Sequence, residues 1–261
     1  MRSLSVAATG MMAQQLNVEV ISNNIANMTT TGFKRRRPEF QDLLYQSQRR
    51  IGATSSSQGT VVPAGVQLGL GVKAASVYRV HEQGDLVNTG NPLDLAIQGQ
   101  GYFQVQTPDG ETVYTRSGNF QLSPQGAIVT ADGYTVAPGI TVPANATDIA
   151  IDAQGNVTAK IQGQTALAAL GQLQLASFVN EGGLEALGNN LLRETDASGP
   201  AQVAPPGTQG LGPVQQGFLE SSNVNPVQEI TALIAAQRAY DLNSKVITAS
   251  DEMMTTITQL R

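Results

Sequence analysis

The sequence predicts an α+β fold. Long helices at the N- and C-termini pair as a coiled-coil-like domain, an all-β domain is inserted between them, and an extended β arm precedes that insert. Three observations carry this reading. Apolar residues recur at three- and four-residue spacing near the start of the chain, and again near its end over a stretch free of glycine. The residues between alternate apolar and polar in short runs broken by turn signals.

The first helix is read from Leu4, Ala8, Met11, Gln15, Val18, Ser22 and Ile25, with Met12, Leu16 and Val20 as a second row beside them. Some 24 helical residues would extend about 36 Å. Gly32 is the first strong stop after it. The segment 1–45 is therefore assigned to a helical core. Residues 46–70 form a separate piece rich in Ser, Gly and Val, including Gly52-Ala53-Thr54-Ser55-Ser56-Ser57. Its composition suits a flexible linker as well as an extended arm anchored by Val61, Val62, Val66 and Leu68.

Residues 71–216 read as the all-β domain. Leu93, Leu95 and Ile97 alternate with Asp94 and Ala96, and Phe103 and Val105 with Gln104 and Gln106. Turns are signalled at Pro108-Asp109-Gly110, Pro124-Gln125-Gly126, Asp132-Gly133, Gln154-Gly155 and Gln162-Gly163. The segment 217–261 returns to helix. Asn225 fits an N-cap, Pro226 the first helical position, and Gln228 lies three residues after the cap. Ile230, Leu233, Ile234, Tyr240, Leu242, Val246, Ile247, Met253, Met254, Ile257 and Leu260 then supply adjacent apolar rows. About 35 helical residues would span about 52 Å, too long to bury within one small globule. Such a helix points to a coiled coil or a helical assembly.

Composition removes several kinds of chemistry. The 261 residues contain no cysteine, which excludes disulfides, thiol nucleophiles and thiolate metal sites. The single histidine, His81, excludes sites that need two imidazoles. The net charge of −5 argues against nucleic-acid binding by the whole chain. No apolar run approaches a membrane span, and no secretory h-region follows Met1. Gly99-Gln100-Gly101 lacks the third glycine of a dinucleotide fingerprint and leads into another strand. The basic run Lys34-Arg35-Arg36-Arg37 is soon followed by Glu39 and Asp42, which suits a solvated or subunit-facing patch. No catalytic, cofactor or metal site is expected. Two apolar seams at opposite ends of one chain instead suggest association with further copies of it, and an interface between different faces that does not close gives a filament.

The stretch Ser22-Asn23-Asn24-Ile25-Ala26-Asn27-Met28-Thr29-Thr30-Thr31-Gly32-Phe33-Lys34 resembles the N-terminal signature of the bacterial flagellar rod and hook proteins. Ser222-Asn223-Val224-Asn225 and Gln237-Arg238-Ala239-Tyr240 resemble their C-terminal signature. Gly84-Asp85-Leu86, Leu93 to Phe103 and Tyr114 to Phe120 are similar to the family's β-domain entry. Within the family, chain length and the arm are most similar to the distal rod type, with a proximal rod or hook protein as the alternative. The resemblance implies a subunit of the straight, hollow rod that transmits torque and passes exported subunits through its channel. Implied partners are further copies of itself, the proximal rod proteins, the hook protein, the P-ring and L-ring proteins and a rod cap, with neither nucleic acid nor membrane insertion. Implied too are a basal-body location from periplasm to outer membrane and export without a cleaved signal.

Residues expected to carry self-assembly fall into three groups. Asn23, Asn24 and Asn27 would satisfy backbone groups where the first helix ends. Gly32 would permit the turn, Phe33 would anchor it in an apolar contact, and Asn223 and Asn225 would set the second helix start. Ile230, Ile234, Tyr240, Val246, Met253 and Ile257 would be the knobs between helices.

Overall fold

The computed structural model describes residues 2–49, 64–163 and 166–259. Val61, Val62 and Leu260 lie outside the described residues, as does most of the arm. The chain is α+β, with a helix at each end and a β-rich middle. It divides into two compact units. One comprises Met1–Ala26, Arg36–Tyr78 and Asn225–Arg261; the other comprises Asn27–Arg35 and Arg79–Val224.

In the helical unit, α1 (Arg2–Ala26) packs on α2 (Pro226–Gln259). Asn225 Oδ1 accepts hydrogen bonds from the Val227 and Gln228 amides at 3.1 and 3.3 Å, so it caps α2 just before Pro226. Three contacts fix the register of the pair. Ser250 meets Ser3, Asn243 lies against Gly10, and Glu229 bonds Asn24. From one contact to the next the two helices advance by equal numbers of residues in opposite directions, so the pair is antiparallel. α2 then continues through Asp251–Gln259, past the point where α1 begins.

The strand Arg36–Asp42 pairs with Val72–Arg79. Tyr45–Arg49 pairs with Val66–Gly69 as a hairpin exposed at every position. Its base is tied to α1, where Thr9 Oγ1 accepts from the Val72 amide at 3.3 Å. A Cβ on Gly71 would lie 2.2 Å from that hydroxyl, so only glycine fits beside Thr9.

The β unit is built on a nine-stranded sheet among the described residues. Tyr102–Gln106 is its central strand, pairing with Thr112–Thr115, Thr135–Val136 and Leu175–Ser177. Strand alternation sorts its two faces. Phe103 enters the main core with Leu95, Ile97, Phe120, Leu175 and Val214. Tyr102 faces a second cluster with Tyr114 and Phe178.

Loss of the cap should be measurable on its own. Asn225→Ala is expected to destabilise the helical unit by about 1 kcal/mol, and Asn225→Asp to cost much less. Thermal unfolding followed by circular dichroism at 222 nm reads both.

Candidate functional site

The buried residues of the helical unit mix small, polar and branched side chains: Ala7, Ala13, Val20, Ile21 and Asn24 on α1, and Glu229, Ala236 and Ser250 on α2. A Cβ on Gly10 would stand 2.9 Å from Asn243 Nδ2, so the Asn243 side chain occupies the space that Gly10 leaves. The buried face of α1 differs from the one that spacing suggested. Ala8, Gln15 and Ser22 of the expected seam are exposed, and Met12 of the second row is 71% exposed. The physical reason is that α1 carries apolar residues on more than one face, so periodicity alone does not select the buried one, and that one also takes in the polar Asn24.

The outward residues on α2 include all six of the expected knobs. Ile230, Ile234, Tyr240, Val246, Met253 and Ile257 are exposed, with Val227 and Leu242 alongside. At 100° per residue all of these but Tyr240, which lies near the buried stripe, form two groups on different faces of α2. Val227, Ile230 and Ile234 lie roughly 160° from the stripe, almost opposite it, in the first half of α2. Leu242, Val246, Met253 and Ile257 lie roughly 80° from it in the second half. Met253 and Ile257 also fall in the overhang, where α1 supplies no neighbour.

Asn24 does more than finish a helix. It is 2% exposed, its Oδ1 accepts from the Arg36 amide at 2.8 Å, and its Nδ2 donates to the Arg36 carbonyl at 2.9 Å. The same Nδ2 donates to Glu229 Oε2 at 3.2 Å. One side chain thus joins α1, the following strand and the first turn of α2. Asn23 is exposed in the last turns of α1, and Asn27 accepts from the Thr30 hydroxyl at 3.2 Å.

In the β unit the post-helix turn is held by buried charge. Glu220 is 1% exposed. Its Oε1 accepts from Lys34 Nζ at 2.5 Å and from the Gly84 amide at 3.0 Å, and its Oε2 accepts from Arg116 Nε at 2.5 Å. Its backbone carbonyl takes the Gly32 amide at 2.8 Å. Arg116 spends its remaining donors on the carbonyls of Ile97, Gly99 and Gly101. Burial opposes ionisation of Glu220, but Arg116 and Lys34 together outweigh it and hold the carboxyl below its ordinary value. Burial draws the Lys34 ammonium down from its ordinary value and Arg116 repels it, which together outweigh the pull of Glu220 and, more weakly, of Glu181.

Asn223 completes the hold. Its Oδ1 accepts from the Arg35 amide at 2.7 Å, and its Nδ2 donates to the carbonyls of Val80 and Glu82 at 2.9 Å each. Gly32 has φ +68°, and a Cβ there would stand 2.9 Å from the Arg116 and Ser117 backbone. Phe33 is half-buried and joins no apolar cluster among the described residues; its carbonyl accepts from the Asn223 amide. Sequence reasoning missed Glu220, Glu229 and the role of Lys34. A lone Glu after Phe218-Leu219 carries no mark that distinguishes a buried anion from a solvated one.

Replacing Glu220 by Gln leaves two cations buried without a counter-charge, and should cost about 3–5 kcal/mol in chemical denaturation of the β unit. Because its folded pKa is depressed, the charged Glu220 contributes stability that is complete above the ordinary carboxylate value of 4.5 and is lost as pH falls through the depressed one. The denaturation midpoint should therefore drop more steeply on acidification in the native chain than in Glu220→Gln. Gly32→Ala should cost about 1–3 kcal/mol from the left-handed backbone alone, and denaturation checks it.

Comparison with known proteins accounts for these features together. Residues 4–34 match the family described as flagella basal body rod protein. Residues 96–159 match the flagellar hook protein FlgE/F/G D1 domain, and residues 215–260 the flagellar basal body rod FlgEFG protein C-terminal. The flagellar basal-body rod protein FlgG of Caulobacter vibrioides is 61% identical over 261 residues, covering 100% of both chains. Those of Agrobacterium fabrum and of Buchnera aphidicola from Acyrthosiphon pisum are 51% and 49% identical, each covering 99% of both chains. The chain belongs to the FlgG family of flagellar basal-body rod proteins.

Proposed function

We propose that the chain is a structural subunit, with no enzymatic role, that polymerises into the straight, hollow distal rod of the flagellar basal body. The observation that carries this is the pair of exposed apolar groups on two different faces of α2. Two different faces on one helix suit two different neighbours, and that is the heterologous contact from which filaments grow. Burying exposed Ile, Val, Leu and Met side chains supplies the drive, about 25 cal/mol for each Å² removed from water.

In this reading residues 1–45 and 217–261 form the core domain, with α1 and α2 paired as a coiled coil lining the channel. The contacts Ser3–Ser250, Gly10–Asn243 and Asn24–Glu229 are separated by whole heptads, which supports that geometry. Residues 71–216 are the outer β domain. Residues 46–70 are the arm that keeps the shaft straight; an isolated two-stranded hairpin is marginal in water, so this one needs neighbours. Torque passes from motor to hook through many such contacts at once. The proximal rod and hook adjoin the polymer at its ends, the P and L rings surround it between periplasm and outer membrane, and a rod cap serves its growth.

Electron microscopy of purified protein tests the reading. The intact chain should form tubes, and a chain lacking residues 1–30 and 230–261 should not. A trimmed chain that polymerises normally overturns it. Ile230→Ser with Ile234→Ser should abolish tubes while leaving the unfolding free energy of the unassembled chain within about 1 kcal/mol of native. Deleting residues 48–68 should change polymer shape and leave subunit folding intact; a polymer of unchanged shape would argue for another rod or hook role.

A further inference from the structure

In a chain without cysteine or tryptophan, methionine is the apolar side chain that a mild oxidant makes polar. Three thioethers are exposed among the described residues: Met12 on α1, Met28 just after it, and Met253 on α2. They stand in different company. Met12 lies among Ala8, Gln15 and Glu19, all exposed, on the side of α1 away from its buried residues. Met253, 59% exposed, belongs with Leu242, Val246 and Ile257, which the helix places within about 60° of one another. It is the only sulfur in that stripe, and the other three members are hydrocarbon.

We propose that Met253 makes assembly of the chain sensitive to oxidation, its sulfoxide blocking the contact that the thioether makes with a second copy. This rests on the rod reading, in which another copy covers the stripe. A two-electron oxidant such as hydrogen peroxide supplies the oxygen. The sulfur lone pair attacks one peroxide oxygen, and an S–O bond forms as the O–O bond breaks. The other oxygen leaves as hydroxide and takes up the proton of the first, giving water. Sulfur loses two electrons and the peroxide gains them.

The surroundings of Met253 decide what the new oxygen does. It is an acceptor that needs a donor once it leaves water. On its own helix the residues one turn away are Ala249, Ser250, Thr256 and Ile257. Ser250 Oγ donates to Ser3 Oγ at 3.4 Å and Thr256 Oγ1 to the Glu252 carbonyl at 2.8 Å, so both hydroxyls are committed. Ala249, Ile257, Leu242 and Val246 carry no side-chain donor. The sulfoxide is therefore solvated in the free chain and left unpaired where a second copy dries the stripe. Met12 stands outside that stripe among small and polar neighbours, and its oxidation does not touch the contact. Oxidation acts on the unassembled subunit, because the contact shields the sulfur once it forms, and methionine sulfoxide reductases reverse it.

The full-length protein tests this. It is treated with hydrogen peroxide, the sulfoxides are located by mass spectrometry, and the lowest concentration that gives tubes is read by sedimentation and electron microscopy. In the native chain, oxidation at Met253 is expected to raise that concentration about tenfold, and reduction of both sulfoxide epimers to restore it. Met253→Leu should shift by less than about twofold under the same treatment, with Met12 and Met28 oxidised as before. Met12→Leu should remain as sensitive as the native chain. Met253→Gln, which puts a polar group at the same place, should raise the concentration with no oxidant at all. The proposal is overturned if the native chain with Met253 oxidised forms tubes at its untreated concentration, if peroxide stops Met253→Leu as it stops the native chain, or if Met253→Gln assembles as the native chain does. A native chain that forms no tubes before treatment overturns the rod reading, and this proposal with it.

Discussion

The structure turns on the seam between α1 and α2. Ser3 meets Ser250, Asn243 lies against Gly10 and Asn24 bonds Glu229, and Ala7, Ala13, Val20, Ile21 and Ala236 are buried beside them. Large apolar side chains of α2 stay outside this seam: Val227, Ile230, Ile234, Leu242 and Val246 are exposed, and α2 continues past its partner with Met253 and Ile257 exposed too. In the proposed polymer another copy covers this apolar surface.

A polymer of such helices is useful only if the β unit keeps a fixed grip on the chain that leads into them. The grip within that unit is electrostatic and buried. Glu220 receives Lys34, Arg116 and the Gly84 amide on its carboxylate and Gly32 on its carbonyl, while Asn223 takes Arg35, Val80 and Glu82. Removing such an ion network from water is costly, and its gain is a single defined geometry for the residues it holds. Asn24 plays the corresponding part in the helical unit, where one amide group brackets Arg36 and reaches Glu229. Each device uses a polar side chain in a dry place, where the alternative to the correct bond is an unpaired group.

Much of this was legible in the sequence. Periodicity located both helices, and the Asn225–Pro226 pair marked the start of α2 to the residue. Alternation and turn residues located the β region, where Leu95, Ile97 and Phe103 proved to be core. What spacing could not give was the orientation of the helices. α1 carries apolar residues on more than one face, so Leu4, Met11 and Ile25 make as regular a row as Ala7, Ala13 and Val20. Periodicity counts apolar positions, whereas the buried positions also include the polar Asn24, Glu229 and Ser250. The buried charges were hidden for a different reason. Lys34 stands in a run of four cations that reads as solvated, and its partners Arg116 and Glu220 lie far away along the chain. Only the fold brings them together.

The native chain contains no cysteine, so single cysteines report on individual positions without background. Ile230→Cys, Ile234→Cys, Met253→Cys and Ile257→Cys variants, with Asp109→Cys on an exposed turn of the β unit as control, can be labelled by a maleimide before and after polymerisation. The account predicts rapid labelling of all five in the free chain. In the polymer the four helix positions should be strongly protected and the control still reactive. Helix positions that label as fast in the polymer as in the free chain would contradict it.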